Sequence, residues 1–408
     1  MRNFKIHILL LTILILSGCS DCREKTVPEH PVTISQQDNV QQQDNIVPPL
    51  DAVVVTDIVR KIESVFGEVE RAANGTIINV DLAKGRSSVS DEVLQDSLRL
   101  PGLKKLRVAG AAVTSETLRQ IAKQTNLEKL YLQDTPICDE DLAVLLPALS
   151  QLQNLTLRGC NNVTDKGLKP VLALPKLRAL ALIRMNLTRQ GLEKVVVSKK
   201  ITALDLRQCS ELKTEDYLLL LQMSSLSDLK IAGFSIDDSV LETVAQLPKL
   251  TGLTLEDTII SPEGFAKMTA QQNITENLTS LILARNSMLF DAGLEPLKNL
   301  RHLKRLSVNT MMVTGEFLNT LASEESKRPK LENLSLEKSL LNPEGAAALK
   351  HFRELKSLNL TGVALSQELA DIITALETPE TINLSDCQLD NEMLKNFRAM
   401  KSVKTLIL

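Results

Sequence analysis

"PKLRALALIRMNLTRQGLEKVVVS", residues 175–198, carries two periodicities in one short stretch. Leu180 and Leu182 alternate with residues free to face outward, as they would on a strand. A polar break follows. Thr188 can then cap a helix whose Leu192, Val195 and Val196 fall on one face. The stretch reads as strand, turn and helix, and alone it cannot bury its leucines. The neighbouring segment ending at residue 174 repeats the arrangement, with Thr164 as the expected cap and Leu168, Val171 and Leu172 as the apolar face. Two further helix starts carry proline at the first position, at Ser261-Pro262-Glu263 and Asn342-Pro343-Glu344.

The same unit recurs along most of the chain. The pattern L-x-x-L-x-L, with Ile or Val substituting, begins at Ile77 and recurs to Val403, fourteen times in all. Its steps are mostly 24 or 25 residues, with one of 26 and two of 28. Stacked units of this size share one core and one parallel sheet. Strands pack about 4.8 Å apart and helices need about 10 Å, so the sheet is expected on the concave side and the helices on the convex side. The pattern resembles the leucine-rich-repeat family, in its cysteine-containing, ribonuclease-inhibitor-like subclass, over residues 77–408. The expected fold class is α/β: a horseshoe solenoid of about 14 repeats.

Six cysteines invite a chemical reading. Cys160, Cys209 and Cys387 each lie three residues after the last strand leucine, where other units have Thr135, Thr258, Asn286 or Ser339. The resemblance implies an inward position that bonds or fills against turn backbone. Cys160 and Cys209 are two units apart, roughly 10 Å, whereas a disulfide needs under about 7 Å. The only histidines are at 7, 30, 302 and 351, so no ligand set for a metal gathers around these thiols. Cys138 falls in a turn with no partner evident from sequence. No Walker loop, G-x-S-x-G or H-E-x-x-H is found. The acids Glu256 and Asp257 are adjacent and expected to diverge. The reading is a non-enzyme with no catalytic residues, metal or cofactor.

Composition agrees. Aromatics make up only 2% of the chain, with no tryptophan, so leucine carries the core. A net charge of −3 gives no basic field for nucleic acid.

The N-terminus, "MRNFKIHILLLTILILSGCS", places Arg2 and Lys5 before an apolar run from Ile6 to Leu16. The run is too short for a permanent span, which needs about 20 residues. Its end, Leu16-Ser17-Gly18-Cys19, resembles a bacterial lipobox. Residues 1–18 are therefore expected to be a signal peptide. The resemblance implies that Cys19 is lipidated, and several acyl chains hold a protein at a membrane where one does not. Ser20 resembles the residue that sends such lipoproteins to the outer membrane of the cell envelope. Residues 19–50 are polar and read as a disordered tether, which includes Cys22. Residues 51–76 read as an N-terminal cap. Val55, Ile58, Val59, Ile62 and Phe66 have helical spacing, and Asn74-Gly75 marks a hairpin. This lead-in resembles that of bacterial leucine-rich-repeat lipoproteins.

Function then falls to surface. The outward strand positions place Tyr131, Arg158, Asp205, Arg207, Lys230 and Glu256 over six neighbouring strands. Tyrosine and arginine are favoured interface anchors. These six are the expected concave binding patch for an unknown protein or peptide ligand. The expected function is a membrane-anchored protein–protein interaction module. Two alternatives stand beside it: a substrate-recognition subunit, since the Cys and Thr-Asp patterns resemble F-box adaptors, and a structural envelope spacer. The F-box itself is missing. The last strand, "KSVKTLIL", is expected to offer an edge for self-association.

Overall fold

A computed structural model describes residues 50–85 and 89–408. The signal peptide, Cys19, Cys22 and all of the tether but Leu50 lie outside the described residues.

Helix α1 (Ala52–Ser64) starts on Asp51, whose carboxylate accepts from the Val53 N–H at 2.8 Å. Strand β1 (Glu68–Arg71) turns through Asn74-Gly75 and pairs antiparallel with β2 (Ile77–Leu82). Gly75 adopts φ +85°, the left-handed conformation that such a tight turn favours. The expected helix and hairpin are thus present. Ile58 and Ile62 are buried, with Val55 and Val59 packed against the core. Phe66 departs from expectation. It follows the helix C-cap at φ +60° and projects into solvent, 70% exposed. The helix ends at Ser64, two residues too early for Phe66 to share its apolar face.

From β2 onward every pairing is parallel. The strands are β3 (Lys105–Ala109), β4 (Lys129–Gln133), β5 (Asn154–Arg158), β6 (Ala179–Ile183), β7 (Ala203–Asp205) and β8 (Asp228–Ala232). They continue as β9 (Gly252–Glu256), β10 (Ser280–Ala284), β11 (Arg305–Asn309), β12 (Asn333–Ser335), β13 (Ser357–Asn359), β14 (Thr381–Asn383) and β15 (Thr405–Ile407). All fifteen lie in sequence order in one open sheet, and short α or 3-10 helices connect most of them. This is a leucine-rich-repeat solenoid. The inward leucines and the helix faces form one continuous core from Ile58 to Phe397.

The units from β3 to β14 turn in the same way. The second residue after the last strand leucine takes positive φ, for example Asp134 (52°), Arg184 (52°), Asp257 (54°) and Arg285 (55°). The residue after that points inward. Cys209 donates to the Leu182 carbonyl at 2.9 Å, Cys387 to Leu360 at 3.0 Å and Cys160 to Leu132 at 3.5 Å. Asn286 donates to the equivalent Leu255 carbonyl at 3.0 Å and accepts from Thr258 at 2.7 Å. The Cys and Asn occupants of this slot satisfy a buried carbonyl, Thr135 and Thr258 bond the side chain in the same slot of the next unit, and among the described residues Ser339 only fills space.

Helix starts are tied to the preceding unit. Asp139 accepts from the Thr164 hydroxyl at 2.6 Å, Asp165 from Thr188 at 2.5 Å and Asp238 from Ser261 at 2.6 Å. Thr188 and Ser261 cap their helices as expected. Thr164 does not: its helix begins at Leu168, after a turn closed by the Gly167 N–H on the Thr164 carbonyl at 3.0 Å. Glycine stands beside these three carboxylates: a Cβ on Gly264 would lie 2.1 Å from Asp238 Oδ1, so a larger residue there has to displace that carboxylate.

Candidate functional site

The parallel register brings the predicted patch onto one face. Tyr131, Thr156, Ala181, Asp205, Lys230 and Thr254 form a single row across β4 to β9. Gln133, Arg158 and Ile183 form the next row, and Glu256 pairs with Ala232 further along it. The outward row is not uniformly exposed: Asp205, Thr254 and Ser307 are buried beneath their neighbours.

Between β4 and β8 this face holds a trough of about 340 Å³. Its floor is alanine: Ala179 and Ala181 from β6 and Ala203 from β7. Tyr131 and Arg158 stand on one side, and Arg207 and Lys230 on the other. Small residues on consecutive strands, between long ones, make the depression. Among the six predicted residues only Glu256 does not line it.

Those six divide into two groups. The first group is already engaged. Arg207 forks onto Asp205, with Nε to Oδ1 at 2.9 Å and Nη2 to Oδ2 at 2.8 Å, and its Nη1 reaches Glu256 at 2.9 Å. Asp205 holds the Arg207 guanidinium charge most strongly, with Glu256 adding to it. Glu256 passes the contact on to Arg285 at 3.2 Å, and Arg285 also grips Asp257 at 2.8 Å. The expected divergence of Glu256 and Asp257 is therefore wrong. Both carboxylates converge on one guanidinium, because Asp257 is at the left-handed position that swings its side chain back. Arg285 escaped the sequence reading for a plain reason. It is 29 residues from Glu256, and only side-chain reach between neighbouring units brings them together.

The second group is available. Arg158 is exposed, and among the described residues its side chain makes no hydrogen bond or ion pair. The same holds for the half-buried Lys230. Tyr131 lies under two cations, with Lys105 at 5.9 Å and Arg107 at 5.6 Å from the ring centroid. Arg107 is itself paired with Asp81 at 2.7 Å. Asp228, at the edge of the trough, has its carboxyl pushed up by burial, while Lys230 pulls it down. The trough thus offers two cations without partners, a phenol and an apolar floor.

The three inward thiols are poor nucleophiles at neutral pH. Burial pushes the Cys209 thiol up to about 11 and raises Cys160 and Cys387 as well. A nucleophile needs the opposite shift. Cys138, without a partner by sequence, has one in the structure. It caps the helix at Asp139–Leu145, donating from Sγ to Asp141 at 3.2 Å and from its N–H at 3.0 Å. Among the described residues no group of His, Cys, Asp and Glu could hold a metal ion, and no helix is long and apolar enough to cross a membrane.

No family model and no curated protein matches the chain. Among solved structures, it is similar to an internalin from Listeria monocytogenes at 18% identity and TM-score 0.38, covering 87% of this chain and 94% of that one. It is also similar to a chain in the Rad7 and Elc1 complex of yeast at 17% identity and TM-score 0.48, covering 78% and 84% respectively. Neither likeness bears on what this chain binds.

Proposed function

We propose that the chain is a non-enzymatic interaction module of the bacterial cell envelope, anchored through lipid on Cys19, that holds a segment of a partner protein on its open sheet face. The trough carries this reading. Arg158 and Lys230 flank an alanine floor without charge partners of their own. The depression between them is about 340 Å³ in volume. A bound segment would place apolar side chains over Ala179, Ala181 and Ala203. Its acidic or carbonyl groups would meet Arg158 and Lys230, with Tyr131 as the rigid anchor.

A photo-crosslinking side chain at Ala181, introduced in the native cells, tests this directly. A discrete adduct is expected, lost when Arg158→Glu and Lys230→Glu are combined. Adducts equally strong from a crosslinker at exposed Lys176 would remove the assignment. Anchoring is tested separately by Cys19→Ser, which is expected to move the protein from the detergent phase to the aqueous phase. Unchanged partitioning would overturn the lipid assignment alone.

A further inference from the structure

One surface column changes character abruptly along the array. It lies at the strand-to-helix turns, just before the apolar residue that seals each turn. In the earlier units it holds Ala112, Pro136, Asn162, Asn186 and Glu211, and in two later units Ala364 and Gln388. In the unit after that of Glu211 it holds Ser235, beside the exposed Phe234, and in the four units after that it holds Ile259, Met288, Met312 and Leu340. These four are exposed, Met312 at 63%, and the exposed rings of Phe234, at 79%, and Phe290 extend the patch. The sealing residues Ile236, Ile260, Leu289, Val313 and Leu341 are buried, so the exposed column does no work in the core. Single exposed apolar residues are ordinary, but a run over consecutive units is not.

Two of the four steps are joined by direct bonds: the Ile259 N–H donates to the Ile236 carbonyl at 3.1 Å, and the Leu340 N–H to Val313 at 2.9 Å. The spacing of the row follows the sheet, about 4.8 Å per unit. An α-helix presents one residue per turn of about 5.4 Å, and a tilt of roughly 27° brings that to the same spacing. Same-side residues of a strand recur at about 6.7 Å, which falls out of step within two units. On the helix side the exposed Glu263, Glu316 and Glu344 each stand three residues after the sealing residue of their unit, whereas Asp291 is taken up by the Thr314, Gly315 and Phe317 N–H groups. Two flexible methionines in the row suit a docked apolar face.

We propose that this rim, Phe234 to Leu340, docks an amphipathic helix of a partner protein whose apolar stripe is bordered by lysine or arginine. The surface lies apart from the trough and does not depend on it. Four unit steps span roughly 20 Å, the length of about 13 helical residues.

The test uses a fluorescent 15-residue helical peptide with a leucine stripe and lysine borders, titrated with the full chain. One control peptide carries glutamate borders; a second keeps the lysine composition but scrambles the stripe. The lysine peptide should bind at least about tenfold more tightly than either control, roughly 1.4 kcal/mol. Ile259→Lys with Met312→Lys should remove that preference, and Arg158→Glu should leave it intact. In the methyl spectrum of labelled methionine, Met288 and Met312 should shift on binding while buried Met223 does not. Equal binding of the scrambled peptide, or full binding by the double variant, would overturn the proposal. Self-association of the chain that the double variant abolishes would instead assign the rim to a second copy.

Discussion

Arg158 and Arg207 border the same trough, yet their removal should cost different things. Sequence alone suggests that both are exposed strand positions whose loss leaves the fold unharmed. The structure separates them. Arg207 neutralises Asp205, which is buried, and truncating one partner of such a pair leaves a charge without compensation. Arg207→Ala is expected to destabilise by about 2 kcal/mol in urea titrations, and Arg207→Lys to recover only part, since lysine cannot fork onto the carboxylate. Arg158→Ala should stay within about 0.5 kcal/mol. Equal losses for the two would contradict the clamp. The inward thiols make a second residue-level case. Cys160, Cys209 and Cys387 should resist alkylation at pH 8 in the folded chain and react on unfolding, read by peptide mapping. Rapid labelling of Cys209 in the native protein would mean that its bond to Leu182 is not kept.

Between neighbouring units, the aspartates are the joints. Asp139 bonds both the backbone N–H of Thr164, at 2.8 Å, and its hydroxyl. Asp139→Ala should cost about 1 kcal/mol, and a double-mutant cycle with Thr164→Ala should show that the two losses are not additive. Asp141 adds a pH dependence. Burial would raise its carboxyl, but bonds from Cys138, Ser115 and Arg119 outweigh that and hold it below the usual carboxylate range. A depressed folded value means stability that is complete above the unfolded value of about 3.9 and lost as pH falls through the folded one. Acid titration of the wild type should show this loss, and Asp141→Asn, weaker at pH 7, should be flatter below pH 4. These joints were half legible. A threonine before an apolar periodicity correctly marked the cap at Thr188. At Thr164 the same signal failed, because Gly167 ends a turn there before the helix begins.

Across the whole array, what could be read from sequence was whatever repeats. Fourteen leucine patterns in register fixed the strands and the outward rows, because side-chain alternation on a strand leaves no freedom once the inward residues are known. Which outward side chains bind one another could not be read. Arg207 meets Glu256 across 49 residues, and Arg184 meets Asp134 across 50, spans set by side-chain length over intervening strands. The apolar rim was equally hidden, since its residues blend into the core pattern until burial separates them. The continuous core has a consequence of its own. Each unit touches chiefly its neighbours, so stability should be a sum of local and nearest-neighbour contributions. Leu229→Ala, in buried β8, should cost about 3 kcal/mol. Hydrogen exchange should then quicken most in β7, β8 and β9 and fade with distance, leaving α1 and β14 near their original protection. Ile62→Ala should do the reverse, loosening α1 and β2 while β9 keeps its protection. If either change speeds exchange equally in all fifteen strands, the solenoid unfolds as one body and the nearest-neighbour account fails.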